Sequence, residues 1–118
     1  MILESLKDHC LRPTSSLRDA LRVTGSHPPI AFITEEDMQF LGIITAGDVH
    51  KALISGKDIN ENIGENFNRN SIVSSIDGTL SPIDSDLSHI SVIPVVNNGK
   101  LIGYRSTRDF AKTALITG

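Results

Sequence analysis

The sequence predicts an α/β domain built as two copies of one unit, and three observations carry that prediction. The same corner closes both halves: Gly42-Ile43-Ile44-Thr45-Ala46-Gly47-Asp48 is matched by Gly103-Tyr104-Arg105-Ser106-Thr107-Arg108-Asp109, a glycine followed three residues on by a hydroxyl and six on by an aspartate. Each corner follows a hairpin-like stretch and precedes a helix-like one. The length of 118 residues fits one compact domain. A unit of roughly 60 residues is marginal alone, so two would share a core.

The elements follow in order. Leu17, Ala20 and Leu21 recur at helical spacing after the capping cluster Thr14-Ser15-Ser16. Pro28-Pro29 excludes a helix there. Residues 30–34 are apolar and β-rich and read as a buried strand. Glu35-Glu36-Asp37 reads as the turn and residues 40–44 as the returning strand. Thr45 starts a helix with Val49, Ala52 and Leu53 on one face, and Gly56 ends it. Ile59, Ile63 and Phe67 stand four apart in the polar connector and predict a short amphipathic helix.

The second half repeats that order. Residues 71–74 read as a strand, and Asp77-Gly78 as a turn. Ser81-Pro82 reads as the cap and first turn of a helix, where proline is accepted. Residues 92–96 form a strand with a proline inside it. Asn97-Asn98-Gly99 marks a hairpin turn, and residues 100–104 return. Phe110, Ala111, Ala114 and Leu115 give the last helix one apolar face. The copies are offset by 61 positions from Gly42 to Gly103, and by 62 before the hairpin turn, because the second hairpin is one residue shorter.

Composition narrows the function classes. Hydrophobic content is 39% and charged content 21%, an ordinary soluble balance. Aromatic residues make up 4% with no Trp, which speaks against base-stacking recognition of single-stranded nucleic acid. The net charge of -3 argues against binding along a phosphate backbone. Cys10 is the only cysteine, so neither an internal disulfide nor a thiol-based zinc site can form. It reads as a free thiol of a reducing cytoplasm rather than a nucleophile. Charges interrupt the N-terminal apolar run at once, unlike a signal peptide, and no stretch reaches the ~20 apolar residues of a membrane span. The expectation is a cytoplasmic protein that binds neither nucleic acid nor membrane.

The repeated corner suggests chemistry. A helix N-terminus carries unpaired N–H groups and a partial positive charge, a place for a phosphate. Thr45 or Ser106 adds a hydroxyl there. Asp48 or Asp109, three residues on, only accepts when ionised, so it suits the two donating hydroxyls of a ribose. Arg105 and Arg108 flank the second corner and suit phosphate. Both pairs also fit a capping box, in which these side chains satisfy only their own helix. The recurrence favours the ligand reading. His9, His27, His50 and His89 lack metal-ligand spacing and read as surface residues. Asp77, Asp84 and Asp86 read as markers of turns and helix ends. Neither a nucleophilic elbow, a phosphate-binding Gly-rich loop nor a dinucleotide fingerprint is present, so the chain reads as non-catalytic.

Residues 40–49 and the run Ile93-Pro94-Val95-Val96-Asn97-Asn98-Gly99-Lys100-Leu101-Ile102-Gly103 resemble a tandem pair of cystathionine-β-synthase (CBS) domains, a Bateman module. The resemblance spans nearly the whole chain and implies repeats ordered strand, helix, strand, strand, helix. These would be residues 1–58 and 71–118, joined by a structured connector at 59–70 and packed as a pseudo-twofold pair. It implies a cleft between the repeats for an adenosine derivative such as AMP, ADP, ATP or S-adenosylmethionine. Asp48 and Asp109 would hold ribose, Thr45 and Ser106 phosphate, and the neighbourhoods of Ala31 and Val92 adenine. It further implies a homodimer. Residues 47–56, followed by Asn66-Phe67-Asn68-Arg69-Asn70, are similar to the CBS pairs preceding sugar-phosphate nucleotidyltransferase domains, which implies either the regulatory front end of such an enzyme, with a nucleotidyltransferase as catalytic partner, or a stand-alone relative. The alternative from the capping box is a structural dimerisation module with no nucleotide bound.

Overall fold

Two capped helices, two sheets and a bonded connector make up the described residues, 6–82 and 86–107 of the computed structural model. Ser16 starts α1 (Leu17–Thr24) with a capping box: its hydroxyl accepts from the Asp19 N–H at 3.0 Å, and Asp19 accepts from the Ser16 N–H at 3.3 Å. Those bonds favour the carboxylate and hold Asp19 below the usual range. Leu17, Ala20, Val23 and Thr24 form the buried face. Leu21, expected on that face, is 42% exposed. At i+4 from Leu17 it falls at the edge of the stripe, and Val23 and Thr24 complete the stripe instead.

β2 (Ala31–Thr34) lies between β1 (Cys10–Leu11), parallel to it, and β3 (Phe40–Ile44), antiparallel to it. All four residues of β2 are buried because both faces of this sheet are covered. Ala31 and Ile33 pack on one side with Leu17, Ala20 and Val23 of α1 and with Val49 and Ala52 of α2 (Ala46–Ile54). Ile30 and Phe32 pack on the other side with Val92 and Leu101 of the second sheet. Phe32 stacks on Tyr104 with ring centroids 5.8 Å apart. Burying a side chain of this size contributes ~1.5–3 kcal/mol, so Phe32 is a main fastener between the halves.

The second sheet has the order β5 (Leu80–Ser81), β4 (Val73–Ser74), β6 (Val92–Asn97), β7 (Lys100–Ser106). β6 and β7 form the expected hairpin. Asn98 and Gly99 take φ of 53° and 79°, the left-handed pair that a two-residue turn requires. The strands of each hairpin also meet the other half: the Phe40 N–H donates to the Gly99 carbonyl at 2.9 Å.

Three expectations need correction. The connector holds no helix. Its backbone bonds instead to the start of the first half, with Leu17 N–H donating to Glu61 O at 2.9 Å and Ile63 N–H to Ser15 O at 2.7 Å. Gly64 has φ of 57°, outside helical space, while Ile63 and Phe67 are buried in the first core. Their spacing reflects two anchor points, not a helical face. Ser81 does not cap a helix; it pairs with Val73 as the edge strand β5. The remaining described residues of that stretch form turns, and Ile83, Asp84 and Ser85 lie outside the described residues. His9, expected at the surface, is buried and lies 3.2 Å from the Ser26 hydroxyl.

Cys10 donates its thiol to the Leu6 carbonyl at 3.2 Å, and burial pushes its pKa up to about 11. A raised pKa favours the thiol over the nucleophilic thiolate. Asp77 and Asp86 mark turns by accepting the N–H groups of Thr79 and Ser88, each at 2.9 Å. Among the described residues no helix is long and apolar enough to cross a membrane.

Candidate functional site

The first corner is built by β3 running into α2. Thr45 is the N-cap, in extended conformation. Its N–H and hydroxyl both donate to Asp48 Oδ2, at 2.9 and 3.1 Å, and its hydroxyl accepts from the Asp48 N–H at 3.4 Å. The capping box read from the sequence is therefore formed. Both bonds to the carboxylate fall on one oxygen, so the cap engages Oδ2 and not Oδ1. Thr45 and Asp48 are half-buried, and each borders a cavity.

Gly42 matters to this corner through close approach. A Cβ there would collide with the Asn68 carbonyl oxygen and come within 2.9 Å of its carbon and of the Phe67 ring. Its absence lets Ile43 and Asn68 exchange two backbone bonds, of 3.0 and 2.8 Å. The connector is thereby pinned along β3, which gives the cleft its outer wall.

Two cavities meet along that wall. One, of about 140 Å³, is lined by Pro29, Ile30, Ile43 and Thr45 of the first half and by His89, Ile90, Ser91 and Val92 of the second. The other, of about 270 Å³, shares Ile43, Ile90 and Val92 and continues to Asn68, Asn70, Ser71 and Ile72. Its walls are mainly apolar with a few polar groups at one end, the usual composition of a small-molecule site. Ser71 Oγ is buried there with no hydrogen-bond partner among the described residues. An unpaired buried hydroxyl costs free energy that a ligand's polar edge would recover.

The second corner has its own cavity, about 400 Å³, lined by Ser106 and Thr107 with Ser91 and, from the first half, His27. Asp109 and Arg108 lie outside the described residues. Arg105 donates to the Ile76 carbonyl at 2.6 Å and lies beside Gly78, on the turn between β4 and β5. A further cavity of about 360 Å³ lies along α2, lined by Asp48, Lys51, Ser55 and the connector residues Glu65 to Phe67.

Of the predicted site residues, the structure brings Thr45 and Val92 into one cavity and sets Ser106 in the second. Ala31 itself is fully buried on the helical side of its sheet, and its neighbours Pro29 and Ile30 line the cavity instead. Sequence reasoning missed His27, His89, Ser71 and Ser91. The signal was present for the histidines, because the same 62-position offset that aligns the halves carries His27 onto His89. Among the described residues no group of His, Cys, Asp and Glu could hold a metal ion.

Comparison with known proteins agrees with this architecture. Residues 6–55 match the CBS domain family. No curated protein matches the sequence. The fold is that of CBS domain pairs. A CBS domain protein from Streptococcus pneumoniae superposes with a TM-score of 0.69 at 20% identity, covering 92% of this chain and 76% of that one. The CBS domain pair of protein MJ0100, in complex with 5′-methylthioadenosine and S-adenosyl-L-methionine, gives 0.62 at 23% identity, covering 92% and 89%. The cytosolic domain of the Mg2+ channel MgtE, in complex with ATP, gives 0.59 at 17% identity, covering 88% of this chain and 44% of that one.

Proposed function

We propose that this chain is a non-catalytic regulatory module that binds an adenosine derivative, of the AMP, ADP or ATP type, in the cleft between its halves. The observation that carries the reading is the cavity beside Thr45, which takes walls from both halves and adjoins an apolar one holding an unpaired Ser71 hydroxyl. Thr45 and the first N–H groups of α2 take phosphate, and the base lies against Ile43, Ile72 and Val92. Asp48, which borders the cavity along α2, serves the ribose diol through Oδ1, the oxygen that Thr45 does not engage. Ser106 with Asp109 and Arg108 serves a second site in the same way. Arg105 is left out of the phosphate set, because its guanidinium is held on the β4–β5 turn. Solved relatives of the same fold hold ATP, or methylthioadenosine with S-adenosylmethionine, which supports this ligand class.

Binding regulates by favouring one placement of the halves, or of an attached partner, over another. The partner suggested by residues 47–56 and 68–70 is a nucleotidyltransferase. Assembly is as a homodimer through the helices, where Ile54 is 82% and Leu21 42% exposed. Calorimetric titration of AMP, ATP and S-adenosylmethionine into the wild type and Asp48→Ala tests the reading. The wild type binds at least one of them, and Asp48→Ala binds it at least tenfold more weakly. A wild type that takes up none at millimolar concentration would leave the structural alternative, a dimerisation module with closed capping boxes.

A further inference from the structure

The two corner cavities are built crosswise. Beside Thr45 the first half supplies Pro29 and the hydroxyl corner, and the second half supplies His89. Beside Ser106 the second half supplies Ser91 and the hydroxyl corner, and the first half supplies His27. The offsets that align the halves map each member onto its counterpart: Pro29 onto Ser91 and His27 onto His89 at 62 positions, Thr45 onto Ser106 at 61. The repeat offset thus relates three lining residues of one cavity to three of the other, histidines included. Each imidazole stands in the cavity of the other half's hydroxyl.

We infer that His27 and His89 are the cross-repeat phosphate contacts of these two cavities, each donating an imidazole N–H to the anionic end of a nucleotide held on the opposite half's corner. The inference rests on the adenosine reading above and adds to it the residues that make each site depend on both halves. Three features support it. Among the described residues lining the two cavities none is a carboxylate, and Asp48, bonded to Thr45, borders the cavity along α2 instead. Hydroxyls and imidazoles supply the polar groups, and an imidazole can donate in either protonation state. The apolar volume that suits a base lies in the adjoining cavity, beyond Ile43 and Val92, which leaves the His89 side for the charged end.

Both histidines are exposed, so their replacement leaves the fold intact and melting unchanged. The experiment titrates AMP and adenosine separately into the wild type, His89→Ala, His27→Ala and His89→Gln. His89→Ala or His27→Ala lowers AMP affinity about tenfold at its own site, as loss of a hydrogen bond to a charged group does, and leaves adenosine affinity unchanged. His89→Gln, which keeps an N–H donor, retains more AMP affinity than His89→Ala. Equal AMP binding by the wild type and both alanine variants overturns the assignment while the adenosine reading stands. An equal loss of AMP and adenosine also overturns it, since the imidazole then faces the nucleoside. A wild type that binds neither overturns the assignment together with the reading beneath it.

Discussion

Two stretches of the chain carry the same serine-x-x-aspartate spacing and meet different fates. Ser16 caps α1, with Asp19 completing the box. Ser81, followed by Asp84 at the same spacing, instead pairs with Val73 in an edge strand. After Ser16 the chain offers Leu17, Ala20, Val23 and Thr24 to a sheet face, and all four are buried. After Ser81 it offers Pro82, Asp86, Ser88 and His89, all exposed, and closes on itself through a turn at Asp86. A cap stabilises a helix by ~1 kcal/mol, whereas burying one large apolar side chain contributes about twice that. The capping signal therefore permits a helix, and the apolar stripe decides whether one forms.

That contrast can be broken most severely at Gly42. The first half owes its extra anchorage to the connector seam along β3, which has no room for a Cβ. Gly42→Ala is expected to cost ~1–3 kcal/mol or more by overpacking, read as a lower denaturation midpoint. A midpoint within error of wild type would mean that the seam yields freely.

A sharper and smaller test compares the two serines. Ser16→Ala removes a formed cap and is expected to cost ~1 kcal/mol. Ser81→Ala changes an exposed edge residue and is expected to stay within about 0.5 kcal/mol. Equal losses in urea melts would show that Ser81 does cap structure in solution.

The smallest effect concerns the turn on which the second half relies. Asp77 accepts from the Ser75 hydroxyl and from the Thr79 N–H. These bonds lower its pKa from 3.8 to about 2, led by the Ser75 hydroxyl. A depressed carboxylate contributes stability that is present above its unfolded pKa and lost as pH falls through the folded value. The melting temperature of Asp77→Asn should therefore lie slightly below wild type at neutral pH, and the gap should close as the pH falls from 3.8 to about 2. A gap that persists at the acid end would assign the effect to packing rather than charge.

Local signals were legible in the sequence wherever one short stretch settles its own conformation. Asn98-Gly99 turns the hairpin, Ser16 and Thr45 cap their helices, and the apolar run of β2 is buried on both faces. The connector departs from the expected helix because Ile59, Ile63 and Phe67 repeat at helical spacing for a different reason, namely docking onto the start of α1 and onto β3. Of the cavity beside the first corner, Thr45 and Val92 are named by the sequence, whereas Asp48 borders the separate cavity along α2. His27, His89 and Ser71 were not legible, because each acquires its neighbours only when the halves face one another. A partner across the pair leaves no mark on the residues beside it, though the offset between the copies retained a trace.

Ser91 borders both corner cavities. One residue is thus a party wall between two rooms. Were both rooms occupied, any influence of one guest on the second would have to equal that of the second on the first.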